Sequence, residues 1–399
     1  MSDPKLMDWK EFKLGEVGKV ITGKTPSKNN PEDWGSDVLF ITPSDYGKYG
    51  KKANESIRML SMIGVKRQNN KLLPPNSVLV TCIGSDMGKS VVNTVPCITN
   101  QQINAIVPYN KIVDSDFVYY LTKDLYDILR NLGADGTAVP ILNKTDFENI
   151  DILLPPLPEQ KAIASVLSSL DDKIDLLHRQ NKTLEAMAET LFRQWFGEKE
   201  NDDTINQFVI IQNGYAFKSG DFKENGINGV IKIKNISGGM IDIQQTDFID
   251  ESVAFNVQKR FEILSGDILI AMTGAEIGKL GIVPKTEQKL WLNQRVGLLK
   301  EKYKGSKYLA YLQLKSDFGQ DYIENTATGS AQPNISGDGI EKCGFPKLSQ
   351  EEIKNCSEQI GELFEKVIFN MGEIRTLEKL RDNLLPKLMS GEVRVLNHD

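Results

Sequence analysis

A heptad pattern of apolar residues runs from Pro158 to Phe196. The positions recur in alternating steps of four and three residues, with apolar residues at Ile163, Leu167, Leu170, Ile174, Leu177, Leu184, Ala188, Leu191 and Trp195, and the polar Asn181 between Leu177 and Leu184. This spacing, called the seam below, predicts a long helix that packs lengthwise against another helix. Pro158 suits the first turn of such a helix, Glu159 complements the positive end of its dipole, and Gly197 ends it.

The seam is repeated later in the chain, which gives the helix a partner. Adding 193 to the seam positions, with Asn181 included, gives Cys356, Ile360, Leu363, Val367, Asn370, Ile374, Leu377, Arg381, Leu384 and Leu388. Most of these residues are apolar, and Thr183-Leu184-Glu185 returns as Thr376-Leu377-Glu378. An internal repeat of this length indicates two copies of one structural unit.

The residues before each seam predict a mixed domain. Apolar runs bounded by turn residues predict strands at 38–41, 77–81 and 104–107, and helical spacing predicts a helix over 117–132. Several short motifs return in the same order in the second half, among them Gly84-x3-Gly88-Lys89 as Gly274-x3-Gly278-Lys279, and Asn100-Gln101 as Asn293-Gln294. The predicted fold is therefore α+β, with two repeated mixed α/β domains and two long antiparallel helices that form a pseudo-twofold symmetric coiled coil.

The predicted boundaries follow from this repeat. The first domain covers 1–155 and the first helix 156–200, while the second domain covers 201–345 and the second helix with its tail 346–399. Turn glycines, strand cores and helices keep their residue types between the copies, whereas the segments after Gly23 and Gly214 differ. A duplicated scaffold that carries two different loop sets suits a protein that binds two different targets.

Composition narrows the class of protein. The chain of 399 residues carries a net charge of −6, which argues against indiscriminate coating of nucleic acid. No charged-then-apolar leader and no membrane-length apolar run are present, so we expect a cytoplasmic protein without a membrane partner. The four cysteines show no C-x-x-C pairing and only two histidines occur, which argues against disulfides, a zinc site and histidine catalysis.

One basic stretch departs from the acidic average. Between Lys48 and Lys71 seven basic residues face a single acid, Glu55. A local basic surface on an acidic protein can bind phosphate at a chosen place. An ordinary solvated loop explains the stretch equally well, so the sequence leaves both interpretations open.

Three motifs resemble those of the specificity (S) subunits of type I restriction–modification enzymes. They are Leu153-Leu154-Pro155-Pro156-Leu157-Pro158-Glu159-Gln160-Lys161 at the first helix start, Gly214-Tyr215-Ala216-Phe217-Lys218-Ser219, and Leu384-Leu385-Pro386-Lys387-Leu388-Met389-Ser390-Gly391-Glu392-Val393. The resemblance covers essentially the whole chain. It implies that each domain is a target-recognition domain for one half of a bipartite double-stranded DNA site. It also implies that the antiparallel helices form a spacer that binds two methyltransferase (M) subunits.

The resemblance also implies which chemistry lies elsewhere. S-adenosylmethionine is expected on the methyltransferase, and ATP and Mg on restriction (R) subunits, of which two would join in a full nuclease. This chain has no Asn- or Asp-Pro-Pro-aromatic loop and no glycine-rich cofactor turn. We therefore predict no catalytic residues, no metal ligands and no cofactor in this chain.

Two alternatives from other classes compete with DNA recognition. The segment Gly18–Thr25 fits the phosphate-loop pattern G-x4-G-K-[ST], which would suit a nucleotide hydrolase. Pro26 and a polar loop follow directly, where a phosphate loop requires a helix, so we expect a chance match. The second alternative is a purely structural coiled-coil adaptor.

Residues that read DNA sequence should differ between the copies, which selects a set of polar loop residues as candidates. In the first half they are Thr25, Lys28, Ser44, Asp45 and Tyr46, and in the second half Tyr215, Lys218, Asn235, Ser237 and Arg295. Lys24, beside Thr25, is a candidate contact to DNA phosphate or bases. Lys89 and Lys279 follow equivalent glycine turns and are candidate phosphate contacts, although ordinary surface lysines are nearly as good an explanation. The Asn-Gln pair is identical in both copies, which favours a scaffold role.

Two asparagines interrupt the seam. Asn181 and Asn370 occupy positions that should be apolar, and they lie symmetrically about the middle of the seam when the helices run antiparallel. We predict that they meet, share a hydrogen bond or a water, and fix the register of the coil. The alternative is two tolerated polar residues that face a partner subunit. A rod of ~55 Å, at ~1.5 Å per residue, exceeds one DNA turn of ~34 Å and can space two readers.

Overall fold

The computed structural model describes residues 8–47, 50–133, 140–237, 239–329 and 332–395. The chain divides into two compact units. The first unit comprises Met1–Leu176 and Thr376–Asp399, and the second comprises Leu177–Arg375. Both divisions fall inside long helices, so each unit contains one mixed domain together with a part of each helix.

Ten helices are seen within the described residues. The first unit contains α1 (Met62–Arg67), α2 (Ser115–Asp124), α3 (Tyr126–Gly133) and α4 (Lys144–Glu148). Next comes the long helix α5 (Leu157–Phe196). The second unit contains α6 (Glu251–Asn256), α7 (Ser306–Lys315), α8 (Asp317–Thr326) and α9 (Gly337–Glu341), and the long helix α10 (Gln350–Met389) follows.

The strands of the first unit form three sheets. They are β1 (Lys10–Lys13), β2 (Gly18–Thr22), β3 (Trp34–Gly35), β4 (Val38–Ile41), β5 (Lys52–Ala53), β6 (Arg58–Leu60), β7 (Val78–Thr81), β8 (Ser90–Asn93), β9 (Cys97–Thr99), β10 (Ile103–Pro108) and β11 (Asp151–Leu154). The sheet orders are β2-β10-β7-β8-β5, β3-β6-β4-β9 and β1-β11. Pairing is antiparallel except between β4 and β9 and between β5 and β8.

The strands of the second unit repeat this plan. They are β12 (Asp203–Thr204), β13 (Val209–Asn213), β14 (Phe222–Lys223), β15 (Asn228–Ile231), β16 (Ile236–Ser237), β17 (Gly239–Ile241), β18 (Asp247–Ile249), β19 (Glu262–Ile263), β20 (Ile268–Ala271), β21 (Leu280–Ile282), β22 (Lys289–Leu292), β23 (Val296–Glu301) and β24 (Gly344–Phe345). The sheet orders are β13-β23-β20-β21-β17-β16, β14-β18-β15-β22-β19 and β12-β24. The parallel pairs β15–β22 and β17–β21 match those of the first unit, which confirms the internal repeat.

The element predictions are confirmed with one exception. The predicted strands correspond to β4, β7 and β10, and α5 ends directly before Gly197. The helix predicted over 117–132 is instead two helices, α2 and α3, separated at Leu125. Apolar spacing could not reveal the break, because Leu125 at the break is buried, as are Leu121 before it and Leu129 after it. The second unit breaks at the equivalent Ser316, whose hydroxyl caps α8 through the backbone N–H of Gly319.

Each unit buries the seam in its own core. In the first unit Ile163 and Leu167 of α5 join Leu385 and Leu388 of α10 in one apolar cluster with Phe117 of α2. Apolar burial of this kind is the main stabilising contribution, ~1.5–3 kcal/mol for each large side chain. The mixed domain of the first unit is therefore anchored directly on the helix pair.

The second unit has the same arrangement. Its largest apolar cluster combines Ala188 and Phe196 of α5, Ile360 and Phe364 of α10, and Tyr311 of α7. The helix pair is thus part of the core of this unit as well, and the predicted α+β class with long paired helices is confirmed.

The direction of the helix pair is visible within the first unit. Asp171 of α5 contacts Arg381 of α10, and Glu159 at the start of α5 contacts Arg394, which follows the end of α10. Residue numbers fall along one chain segment as they rise along the other, so the segments run antiparallel, as predicted. The predicted limits of the recognition domains remain a prediction, because the compact units share both helices.

Candidate nucleic-acid interface

Two equivalent glycines bring two loops together in each unit. A Cβ atom on Gly23 would lie 2.2 Å from the backbone oxygen of Asn100, and one on Gly214 would lie 2.1 Å from that of Asn293. Only glycine allows so close an approach of two backbones. The Asn-Gln segment is therefore packed against the loop that follows each glycine, and Asn100 itself is buried. These contacts support the predicted scaffold role of the asparagines.

The loop after Gly23 exposes three of the predicted DNA-contacting residues. Lys24, Thr25 and Lys28 are all exposed to solvent. The Thr25 hydroxyl donates a 2.7 Å hydrogen bond to Oε1 of Gln101, which is itself exposed. The identity of the Asn-Gln pair in both copies predicts a scaffold role for Gln101 as well as for Asn100. In the structure the Gln101 amide instead lies beside Thr25, on the same exposed surface.

The turn at 43–45 uses one predicted contact residue as a helix cap. Asp45 accepts a 2.8 Å hydrogen bond from the backbone N–H of Thr42 and a 2.7 Å bond from that of Ile57. Ser44 is exposed, with its hydroxyl 2.8 Å from the Thr42 hydroxyl. The Tyr46 hydroxyl donates to the Leu79 carbonyl, and burial raises the pKa of Tyr46 well above its usual range. Of the three predicted residues, only Ser44 is exposed.

The prediction of DNA contact by Asn235 is wrong. Its side chain is 1% exposed, and its amide donates to the backbone oxygens of Asp242 and Gln245 while accepting from the backbone N–H of Lys232. Asn235 and Asp45 occupy the same capping position in the two units. A carboxylate and an amide oxygen satisfy the same backbone donor, so the difference between the copies carries no recognition. The side chain of Ser237 lies outside the described part of the chain.

The loop after Gly214 packs aromatic side chains inward, where the loop after Gly23 exposes polar ones. The Tyr215 ring packs edge-on against Phe217 at 4.9 Å and against Phe261 at 5.5 Å, and it remains half-buried. Lys218 is exposed, and its backbone N–H donates to the Asp221 carboxylate at 2.9 Å. The two equivalent loops therefore have the same backbone origin and different surface chemistry.

Lys89 and Lys279 follow glycines with positive φ, at 89° for Gly88 and 82° for Gly278. Each lysine pairs with an acid three residues before it: Lys89 with Asp86 at 2.6 Å, and Lys279 with Glu276. Both side chains are about half exposed, so the pairs are screened by solvent and exchange readily. A phosphate would have to compete with the local carboxylate, and phosphate contact by these lysines remains a prediction.

Arg295 lines a polar cavity of the second unit. The cavity measures about 480 Å³, and its polar lining includes Asn213, Thr273, Gln294, Arg295, Asn334 and Ser336. Within the described residues the Arg295 guanidinium forms no hydrogen bond or ion pair. The equivalent residue of the first unit is Gln102, which accepts from the Asn100 amide and is thereby engaged. A free guanidinium that differs between the copies suits guanine recognition.

Much of the basic stretch is used inside the first unit. Lys51 is buried and pairs with Asp116 at 2.7 Å, and Lys52 pairs with Asp172 at 2.9 Å. Arg67 contacts Glu32 and Asp33, and Arg58 stacks on the Trp34 ring. Lys48 lies outside the described residues. Both open interpretations are therefore incomplete, because these four side chains make contacts within the first unit.

The phosphate-loop match at Gly18–Thr25 is contradicted. Residues Gly18–Thr22 are a strand, β2, paired antiparallel with β10. Across the described residues 18–33 no α-helix follows the lysine and threonine, and the first turn is the short 3-10 turn Pro31–Asp33. The strand–loop–helix arrangement that holds a nucleotide phosphate is thus missing from this segment.

Other kinds of site are not seen in the part of the chain that the structure describes. That part contains no group of three or more histidine, cysteine, aspartate or glutamate side chains arranged to hold a metal ion. It also has no helix that combines the length and apolarity needed to cross a membrane. All four cysteines, Cys82, Cys97, Cys343 and Cys356, carry free thiols.

Comparison with known proteins places the chain in a family. The family model described as "Type I restriction modification DNA specificity domain" matches residues 7–186 and again residues 199–374. Two relatives from Methanocaldococcus jannaschii are the type I restriction enzyme MjaIX specificity subunit, 29% identical over 97% of this chain and 94% of the relative, and the MjaVIII specificity subunit, 28% identical over 98% and 94%. The crystal structure of a type I restriction–modification system S subunit from M. genitalium has the same fold, with a TM-score of 0.61 at 18% identity over 98% of both chains. The chain therefore belongs to the specificity-subunit family of type I restriction–modification systems, with one family domain in each half.

Proposed function

We propose that this specificity subunit recognises a bipartite DNA sequence, one half-site by the domain of each unit. One observation carries the proposal: the same scaffold occurs twice, and its equivalent loops after Gly23 and Gly214 expose different side chains. A scaffold kept constant while its loops vary is the arrangement expected of two readers with different targets.

The charges at these loops support selective contact. Lys24, Lys28, Lys218 and Arg295 are exposed, while the chain as a whole is acidic, with a net charge of −6. Exposed cations on an acidic protein attract phosphate at a few places and repel it elsewhere. The lysines position the protein on the phosphate backbone of DNA, and the guanidinium and hydroxyl groups are then available to contact base edges.

The long helices support a fixed gap between the half-sites. Each of α5 and α10 is an unbroken helix of 40 residues. At ~1.5 Å per residue such a helix measures ~60 Å, longer than one DNA turn of ~34 Å. We propose that the length of the helix pair determines the gap, whereas the loops determine the bases.

The proposal includes an assembly. The relatives are named as specificity subunits of restriction enzymes. We propose that two methyltransferase subunits dock on this chain and carry S-adenosylmethionine, and that the target base is flipped into the methyltransferase. Two restriction subunits with ATP and Mg would complete a nuclease. In this proposal the chain is cytoplasmic, catalyses nothing and binds no cofactor of its own.

Methylation mapping tests the proposal. The chain is expressed with its methyltransferase subunit in a host that lacks methylation of its own, and methylated positions are mapped by single-molecule sequencing. We expect a two-part motif with a constant gap. A single continuous motif, or methylation without a motif, would contradict bipartite recognition.

Binding measurements on the same complex, first with DNA and then with ATP, exclude the two competing functions. A structural adaptor would show no sequence-selective DNA binding at any salt concentration. A DNA reader binds DNA selectively, and its affinity falls as the salt concentration rises. A nucleotide hydrolase would bind ATP, and the substitution Lys24→Ala would abolish that binding. The matched control is Lys19→Ala, which changes an exposed lysine of β2. We expect no ATP binding by any of the three proteins.

A further inference from the structure

The helix pair contains a buried ion pair in the first unit. Arg381 of α10 donates a 2.8 Å hydrogen bond to Asp171 of α5, and the Tyr120 hydroxyl donates a 2.7 Å bond to the same carboxylate. The Asp171 side chain is 7% exposed and that of Arg381 is 15% exposed. A carboxylate so buried requires these partners, because an unpaired charge is costly away from water.

The same place in the second unit is apolar. The repeat offset of 193 converts Asp171 into Phe364, and it places Ala188 where Arg381 stands. Phe364 and Ala188 are 1% and 0% exposed and belong to one apolar cluster. The Tyr311 ring packs edge-on against Phe364 at 5.4 Å. An ion pair in one copy therefore corresponds to an apolar contact in the other.

The asparagine pair follows the same rule. Asn370 of α10 donates a 2.9 Å hydrogen bond to Asn181 of α5, within the second unit. The repeat converts Asn181 into Ile374, and Leu177 stands at the position equivalent to Asn370. Ile374 is 5% exposed and Leu177 is 1% exposed, so both equivalents are buried apolar residues. In both pairs one polar residue lies on α5 and its partner lies on α10, so the partners meet only when α5 packs against α10.

We infer that these two polar pairs make α5 select α10 as its partner and reject a second copy of itself. In the same antiparallel alignment, two α5 helices would place Asp171 against Ala188 and Asn181 against Leu177. The buried Asp171 carboxylate would keep only the Tyr120 hydroxyl, and the buried Asn181 amide would have lost its partner. Such losses reduce an association constant on the order of 100- to 1,000-fold.

The second helix is excluded from self-pairing in the same way. Two α10 helices would place Arg381 against Phe364 and Asn370 against Ile374. Arg381 would then keep only the exposed Asp382 of its own helix, and the Asn370 amide would be buried among apolar side chains. The only partner that satisfies all four polar residues joins a first half to a second half. This selectivity is independent of whether the chain reads DNA.

Substitutions in the full chain reproduce each mismatch. Arg381→Ala leaves Asp171 opposite alanine, as in a pair of first halves, and Asp171→Phe leaves Arg381 opposite phenylalanine, as in a pair of second halves. We expect each variant to lower the equilibrium constant for folding of the first unit on the order of 100-fold in urea unfolding. The double variant D171F/R381A recreates the apolar contact of the second unit, and we expect it to recover at least tenfold.

The matched control is Asp172→Ala, which removes a neighbouring carboxylate whose side chain is 61% exposed. We expect it to change the folding constant less than fivefold. Simple multiplication of the two single effects in the double variant would overturn the inference, because the pair would then have no mutual preference.

A nicked full chain tests the selectivity itself. A protease site is inserted between Glu198 and Lys199, which are exposed, and the folded chain is cut there. The two halves are then equilibrated in moderate urea, and native mass spectrometry measures the masses of the complexes that they form. We expect only pairs of one first half with one second half. The variant D171F/R381A/N181I/N370L has an apolar seam throughout, and we expect it to form self-paired halves as well. Self-pairs from the unsubstituted chain, or their absence from this variant, would overturn the inference.

Discussion

Asn370 of α10 and Asn181 of α5 share a 2.9 Å hydrogen bond in the buried seam, where the two residues are 0% and 8% exposed. The contact predicted from the symmetry of the seam is confirmed. Its role in fixing the register of the coil remains a prediction. A buried amide is stable in an apolar seam only where a second amide meets it, and so it disfavours every other alignment of the helices.

The asparagine pair gives the first testable prediction. Asn370→Leu leaves the Asn181 amide buried without its partner, and we expect a loss of ~1–3 kcal/mol in the free energy of unfolding. The double variant N181I/N370L replaces both amides by the apolar residues of the equivalent positions, and we expect it to be at least as stable as the unsubstituted chain. Urea unfolding of the full chain measures both. A double variant as unstable as the sum of its parts would argue against the pairing.

Glu159 gives the second prediction. Arg394 holds it through two hydrogen bonds of 2.7 and 2.6 Å, and the Trp9 indole donates a third. Because Glu159 is 8% exposed, we expect Glu159→Gln to cost ~2–3 kcal/mol of stability in the first unit. Thermal unfolding measures the change.

The repeat supplies the control for this variant. Glu352 occupies the position equivalent to Glu159, where it is exposed and caps α10 through Ser349. We expect Glu352→Gln to have a much smaller effect. Equal losses for the two variants would show that the buried arginine pair contributes nothing beyond helix capping.

Arg295 gives the third prediction, which concerns recognition. Arg295→Gln places the residue of the first unit, Gln102, in the second unit. We expect the free energy of DNA binding to weaken by ~1–3 kcal/mol, and the discrimination between bases to be lost in only one of the two half-sites. Binding to DNA sites substituted in one half or the other measures this. Lys279→Ala serves as comparison, since a lost phosphate contact weakens all sequences uniformly and lowers the salt slope by about 1. A uniform loss for Arg295→Gln would contradict base recognition.

Asn235 gives the fourth prediction, because its burial indicates a role in stability and none in DNA contact. We expect Asn235→Ala to lower the stability of the second unit by ~1–2 kcal/mol, because two backbone oxygens and one N–H lose their partner. The recognised DNA sequence should stay unchanged. Altered sequence preference in a variant of normal stability would return Asn235 to the interface.

The fifth prediction concerns pH. Burial alone would raise the pKa of Asp247, but hydrogen bonds and charges from Lys232 and Lys234 outweigh it and lower that pKa below its ordinary 3.8. An acid with a lowered pKa stabilises the folded state at pH values above 3.8, and this stabilisation is lost as the pH falls through the lowered pKa. We expect Asp247→Asn to be less stable than the unsubstituted chain at pH 7, and this difference to shrink as the pH falls below 3.8, measured by urea unfolding. A difference that does not change with pH would contradict this assignment.

The sequence predicted those features that local spacing determines. The seam appears as apolar spacing, and the close approach at Gly23 and Gly214 requires glycine in both copies. The Asn181–Asn370 contact follows from symmetry alone. Each of these features depends on residue types at known separations.

Features that depend on distant partners escaped the sequence argument. Lys51 pairs with Asp116 far along the chain, so nothing local distinguishes it from a DNA-binding lysine. The Asp171–Arg381 pair was also missed, and the signal that could have found it was a charged residue, Arg381, at a seam position that should be apolar. Asn235 was misassigned because a difference between the copies cannot separate base contact from capping.

The central claim is that each half of the chain reads its own half of the DNA site. It is tested most directly by replacing residues 201–345 with the corresponding domain of another family member and mapping the methylated sites by sequencing. We predict that one half of the motif changes, while the other half and the gap stay as in the unsubstituted protein. A motif that changes in both halves, or in neither, would contradict the account.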